Sequence, residues 1–311
     1  MDLILQHLVN ALALSAVYAL VAIGISLFFG VIGIVNLAHG DIATLGVFAS
    51  LAVFQFLLAG GAMDITALSA PAAMATLAAL AAGLVVAALS GVVFYRVAFF
   101  PLRAAPPIIG LLCSVGVGFI IRESILNFYP NGRNPQPFPA IIPPDLIEIG
   151  GVIIQYKHIF VIGTAVIVMF ALAYCVERTR FGRAMRSILN NREVAQSLGV
   201  STFKVTVALF ALGSALAGLA GLMNALYYNL VQSDMGTLLT VKGFTAAVIG
   251  GLGNIYGALL GAVLVGLIEA VTAGFIPDGS AYKDVAVFGV LIAILIARPN
   301  GLLGRLSAER V

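Results

Sequence analysis

Asn36, His39 and Asp41 stand close together in IVNLAHGDIATLG (Ile34–Gly46), between two long apolar runs. An amide, an imidazole and a carboxylate so placed can cap helix ends, hold a metal or line a polar path. Metal binding finds no support, because the other histidines are His7 and His158 and no Cys or His sits at ligand spacing. Asp41, directly before Ile42, suits a helix N-cap, Asn36 suits a helix end, and His39 suits a packed histidine. A helix N-terminus set there would also receive an anionic group such as a carboxylate. Polar side chains amid such hydrophobicity are costly and mark function by default. Asn36, His39, Gly40 and Asp41 are therefore candidates for lining a translocation path.

A second interruption is VIGGLGNIYGALLG (Val248–Gly261). Its glycines approach a dinucleotide fingerprint, but no strand–helix–strand unit surrounds them. Gly253, Gly257 and Gly261, four apart, predict one small-residue face of a helix against which another backbone can pack. Gly213, Ala217 and Gly221 predict the same one span earlier. Gly250, Gly251, Gly253 and Asn254 join the path candidates because they break an apolar run. Glu269 joins them as a carboxylate inside an apolar helix, with Lys242 as a candidate partner. Arg122 and Glu123 close another span and are expected to snorkel to the interface.

The third stretch is Arg178–Val205. It is basic, and it carries apolar residues at helical spacing: Met185, Ile188 and Leu189, then Val194, Ala195 and Leu198. Gly199 follows as a stop. The spacing predicts one helix, lying either on anionic lipid or in a partner protein.

The elements that position these residues follow from composition. The chain has 311 residues, 61% hydrophobic and 9% charged, and a mean hydropathy of +1.11. Soluble domains are about one-quarter charged, so these proportions cannot cover a water-facing surface. The net charge of +3 comes with no basic face interleaved with aromatics, which argues against nucleic acid. Cys113 and Cys175 lie in apolar runs and read as small hydrophobes, not as a disulfide.

An all-α, polytopic membrane protein is predicted, as one domain over 1–311, with about eight or nine transmembrane or half-membrane helices. The spans are Leu5–Phe29, Ile42–Leu58, Pro71–Tyr95, Ile108–Phe128, His158–Val176, Phe203–Tyr227, Gly243–Leu252, Tyr256–Ile276 and Ala286–Ala297. Helix breaks are expected near 34–41 and 250–256. Broken helices in corresponding halves are a transporter signature, although the two stretches do not align well. The first run lacks a preceding Lys or Arg and is too long for a signal-peptide core, so it reads as a retained span.

Arg96 and Arg103, the 178–204 loop, and Arg298, Arg305 and Arg310 are placed in the cytoplasm by the positive-inside rule. The Pro-rich segment 129–157 is expected outside as an ordered, extended loop, since its prolines disfavour helix. The N-terminus is then outside as well.

Glu193-Val-Ala195-Gln-Ser-Leu-Gly199 resembles the E-A-A-x-x-x-G loop of ABC importer permeases, with Val194 replacing one Ala. NLAHGD, RTRFGRAMRSI, VKGFTAAVIGGLGNIYGALLGA and RPNGLLG occur in that order at matching spacings. Together they resemble the branched-chain amino acid ABC transporter permease family, LivH-type rather than LivM-type, over about Val9 to Gly304. The resemblance implies a bacterial inner-membrane, multi-pass permease with no catalytic residues and no cofactor, carrying branched-chain or other small amino acids, or urea and short amides. It implies four kinds of partner: a LivM-type second permease, two ATP-binding cassette subunits, a periplasmic or extracytoplasmic binding protein, and a small-molecule substrate. It also implies that Arg183, Arg186, Glu193, Ala195 and Gly199 couple to the ATPase. The chain has no G-x-x-x-x-G-K-[ST] loop of its own. A stand-alone channel or ion-coupled carrier would bring more intramembrane acids. An intramembrane enzyme would bring a hydrolase or metalloprotease motif, and neither appears.

Overall fold

Hydrophobic runs of this length bury their backbone polar groups in helices. A computed structural model describes residues 2–59, 70–103, 105–143, 146–149 and 152–304. Its helices in chain order are α1 (Asp2–Ile32), α2 (His39–Ala59), α3 (Ala70–Phe94), α4 (Pro107–Phe128), α5 (Tyr156–Arg178), α6 (Arg180–Asn190), α7 (Arg192–Ser197), α8 (Thr202–Tyr228), α9 (Met235–Gly250), α10 (Ile255–Phe275) and α11 (Gly279–Ala297). Among the described residues, eight helices are long and apolar enough to cross a membrane, and α9 is a shorter apolar helix. The all-α polytopic architecture and the breaks near both expected positions are present.

Two spans run longer than hydropathy predicted. The short piece Gly243–Leu252 is the end of a 16-residue helix, and Ala286–Ala297 is the end of a 19-residue one. Their N-terminal halves hold Thr237, Thr240 and Lys242, and Tyr282, Lys283 and Asp284. These polar residues depress hydropathy; Thr237, Thr240, Lys242 and Asp284 find partners in the bundle.

Helix α1 is the central element and packs against α10, α8, α9 and α5. Helix α2 packs against α3, α8, α9 and α4. The small-residue stripe of α8 does what its spacing predicted: Gly213 lies on Phe28, and Gly221 lies on Ala43 and Val47. Helices α3, α4, α5 and α11 flank this core and turn Leu77, Phe128, Phe170 and Ile296 outward. An apolar exterior of that kind is matched to lipid tails.

The two ends differ. At one end lie α6 and α7, the Tyr95–Phe99 π-helical turn beside Phe203, and Arg298. This is the basic end, which the positive-inside rule expects in the cytoplasm. Arg305 and Arg310 lie outside the described residues. At the other end the Pro-rich segment forms strands: β1 (Gln136–Pro137) and the antiparallel hairpin of β2 (Leu146–Ile149) and β3 (Val152–Gln155). Strand β1 pairs antiparallel with β4 (Leu230–Val231). Gln6, near the start of α1, accepts from Ile153 N at 3.0 Å, which puts that helix end beside the Pro-rich segment.

Candidate functional site

Helix α1 stops at Gly33, whose φ of +73° is a left-handed C-terminal stop. The next residues, 34–38, run unwound until α2 starts at His39. The His39 ring lies against Gly24, eight residues before the end of α1, about 12 Å back along that helix at 1.5 Å per residue. The unwound stretch therefore climbs from the basic end into the bundle. A ridge of small residues on α4 shields it: Ile34 sits on Gly110, and Asp41 on Gly118. Ser114 Oγ accepts from Leu37 N at 3.1 Å.

The first turn of α2 is capped by its neighbours. Asn36 Oδ1 accepts from Ala38 N at 3.1 Å, and Thr240 Oγ1 of α9 accepts from Gly40 N at 2.8 Å. Asp41 is not the N-cap that its position before Ile42 suggested, because α2 begins two residues earlier and Asp41 falls inside its first turn. Three N–H groups placed to receive an anion thus already have protein partners. Gly40 and Gly236 pack backbone to backbone, with no room for a Cβ on either, so the α2 and α9 N-termini form a closed seam.

Other polar atoms here lack protein partners. Asn36 Nδ2, both ring nitrogens of His39 and Asp41 Oδ1 are buried without a hydrogen bond. His39 is fully buried, edge-on to Phe28 at 5.4 Å. Arg122, one turn above Gly118 on α4, acts electrostatically on Asp41 and donates to Thr237 at 3.2 Å. Arg122 thus does more than snorkel. A cavity of about 460 Å³ lies beside it, lined also by Glu123, Arg133 and Asp234.

The Gly250–Asn254 break is of a different kind. It is a tight reversal between α9 and α10, with Gly251 at φ +106° and Gly253 at φ +84°. Gly253 precedes α10, so only Gly257 and Gly261 form the predicted stripe; they pack on Gly250 and Ala246. Asn254 Oδ1 accepts from Tyr256 N and Gly257 N at 3.0 and 3.2 Å and so caps α10. Its Nδ2 donates to Leu303 O at 2.9 Å. The RPNGLLG ending closes the α9 terminus, with Leu302 N and Leu303 N donating to Ile249 O and Gly250 O at 2.8 and 2.9 Å.

Glu269, 2% exposed, forms an ion pair with Lys242, the partner proposed from sequence. Sequence reasoning missed two further members. Tyr18 donates to Glu269 Oε2 at 2.8 Å, and Asp284 Oδ1 lies 3.1 Å from Lys242 Nζ. The cluster ties α1, α9, α10 and α11 together. Ser114, Thr240 and Gly236 were missed as well; the four-residue spacing of Gly110, Ser114 and Gly118 was the readable signal.

The basic 178–204 loop folds as two helices instead of one. Asn191 is extended at φ −160°, and its Oδ1 accepts from Glu193 N and Val194 N. That side-chain cap interrupts the predicted Arg183–Gly199 helix. Met185, Ile188 and Ala195 face inward, whereas Val194 and Leu198 are 52% and 78% exposed. Gly199, at φ +83°, ends α7. Arg186 donates to Val176 O and Glu177 O, bonding α6 to the carbonyl end of α5. Arg183 and Glu193 are exposed.

A bundle of membrane-spanning helices with a re-entrant polar segment and a basic helix pair at one end is the architecture of a multi-pass transport permease. The family model for the branched-chain amino acid transport system permease component matches residues 7–295, and the chain belongs to that family. It is 35% identical over 99% of its length, and 98% of the relative's, to the high-affinity branched-chain amino acid transport system permease protein BraD of Pseudomonas aeruginosa. It is 30% identical over 99% of its length, and 97% of the relative's, to the corresponding permease protein LivH of Escherichia coli (strain K12). PsaBC from Streptococcus pneumoniae, solved in complex with Fab, matches at a TM-score of 0.47 and 14% identity, over 94% of this chain and 91% of that one.

Proposed function

We propose that this chain is the membrane-spanning permease of an ABC importer for branched-chain or other small amino acids in the bacterial inner membrane. ATP hydrolysis belongs to two separate cassette subunits. A LivM-type permease and an extracytoplasmic binding protein complete the assembly. The observation that carries this reading is the near-full-length match to permeases named for high-affinity branched-chain amino acid transport.

The geometry supports a division of labour. Helices α6 and α7 present Val194 and Leu198 to a cytoplasmic ATPase, and Arg186 passes their displacement to α5. Arg183, Glu193, Ala195 and Gly199 shape and flank that surface. The polar path uses Asn36, His39, Gly40 and Asp41, and the unpartnered atoms of Asn36, His39 and Asp41 offer donors and acceptors to a zwitterion. The α2–α9 seam is the closure that must part for passage. Gly250, Gly251, Gly253 and Asn254 act as a structural hinge beside that path, and Glu269 holds α9 to α10.

Purification from native membranes in mild detergent, followed by mass spectrometry and reconstitution, tests the reading. Co-purifying ATPase and second-permease chains with ATP-dependent leucine uptake are expected. Uptake by this chain alone in ATP-free vesicles would overturn it in favour of a carrier.

A further inference from the structure

The Lys242 cluster borders a cavity that none of the path candidates explains. The cavity, about 330 Å³, lies between α1, α8, α9 and α11 and reaches from Tyr228 and Gln232 down to Tyr18 and Lys242. That volume lies at the small end of the roughly 300–1,000 Å³ usual for small-molecule sites. Its lining combines two chemistries. Leu230, Met235, Leu238 and Leu239 are apolar. Asn224, Gln232 and Lys283 are polar, and their side chains have no hydrogen-bond or ion partner among the described residues. Both nearby carboxylates, Glu269 and Asp284, are engaged by Lys242, which leaves the Lys283 ammonium available to an anion.

We propose that this cavity binds a free aliphatic α-amino acid; the proposal rests on the importer reading and names a site for its solute. The solute carboxylate meets Lys283, beside Lys242. Its ammonium meets the side-chain carbonyl oxygens of Asn224 and Gln232. Its branched side chain lies along the four aliphatic residues. A charged side chain placed against these four residues would lose its hydration without a partner, so they select for aliphatic solutes. The cluster beneath acts as a rigid floor, because Lys242 is held from α10 and α11 at once.

The test is photolabelling of the intact complex in detergent with a diazirine analogue of leucine, read by peptide mass spectrometry. Label is expected on residues 235–242, falling about tenfold with excess L-leucine and hardly at all with L-glutamate. Leu238→Trp fills the cavity from a side chain that is 60% exposed, so the bundle should stay folded while labelling drops. Lys283→Gln should weaken protection by L-leucine. Unchanged labelling in Leu238→Trp, or protection by decanoate and not by L-leucine, overturns the proposal. Such a failure with ATP-driven uptake intact refutes the cavity alone. Correct labelling without ATP-driven uptake refutes the importer reading and keeps the site.

Discussion

At the scale of single residues, the cost of burying charge organises the interior. Glu269 is nearly inaccessible, and it is accommodated because Lys242 and Tyr18 reach it from two other helices. Removing one member of such a pair strands the other. Lys242→Met should therefore destabilise the protein by about 3–5 kcal/mol, read as a lower thermal unfolding midpoint in detergent. Replacing both Lys242 and Glu269 by apolar residues should restore most of that loss. A midpoint unmoved by the single change would mean that the ion pair holds nothing. Glu269 was legible as a residue needing a partner, and Lys242 was legible as the candidate. Tyr18 and Asp284 were not, since nothing local in a sequence says which turn of α1 or α11 faces α10.

At the scale of elements, side chains from distant segments decide where helices begin and stop. The start of α2 is capped by Asn36, Ser114 and Thr240, which is why its N-terminus lies two residues before the expected Asp41. Asn191 splits the helix expected in the basic loop by offering its side-chain carbonyl to the next turn. Arg186 fastens the first half of that pair to α5 through the carbonyls of Val176 and Glu177. Arg186→Glu puts a carboxylate against those carbonyls and reverses the favourable helix-end interaction. The variant should insert normally while ATP hydrolysis by the assembled complex proceeds with most uptake lost. Parallel measurement of phosphate release and leucine uptake checks this; tightly coupled transport would remove Arg186 from the coupling role.

At the scale of the whole molecule, the chain's last described segment returns to hold a turn about fifty residues earlier in sequence. Leu302 and Leu303 donate to Ile249 and Gly250, and Asn254 donates to Leu303. A chain ending at Pro299 would leave those α9 carbonyls without protein partners, at about 1–3 kcal/mol for each that stays buried. Faster limited proteolysis between α9 and α10 and a lower unfolding midpoint are expected. Proteolysis at the wild-type rate would show that the clamp is dispensable.

Sequence by itself determined the membrane class, the nearly complete set of spans and both helix breaks, because hydropathy and the placement of glycine and polar residues are properties of the chain and need no partner. The resemblance of its motifs also reached the family. Only the tertiary structure decided what each break is for. The same signature of glycine beside a polar residue produced a re-entrant stretch at Ile34–Ala38 and a tight, clamped reversal at Gly250–Asn254. Which one forms depends on what packs alongside: the small ridge of α4 and the threonine of α9 in the first case, the returning RPNGLLG segment in the second. Those partners lie tens to hundreds of residues away in sequence, and at that separation contact is set by three-dimensional packing, which local pattern does not encode.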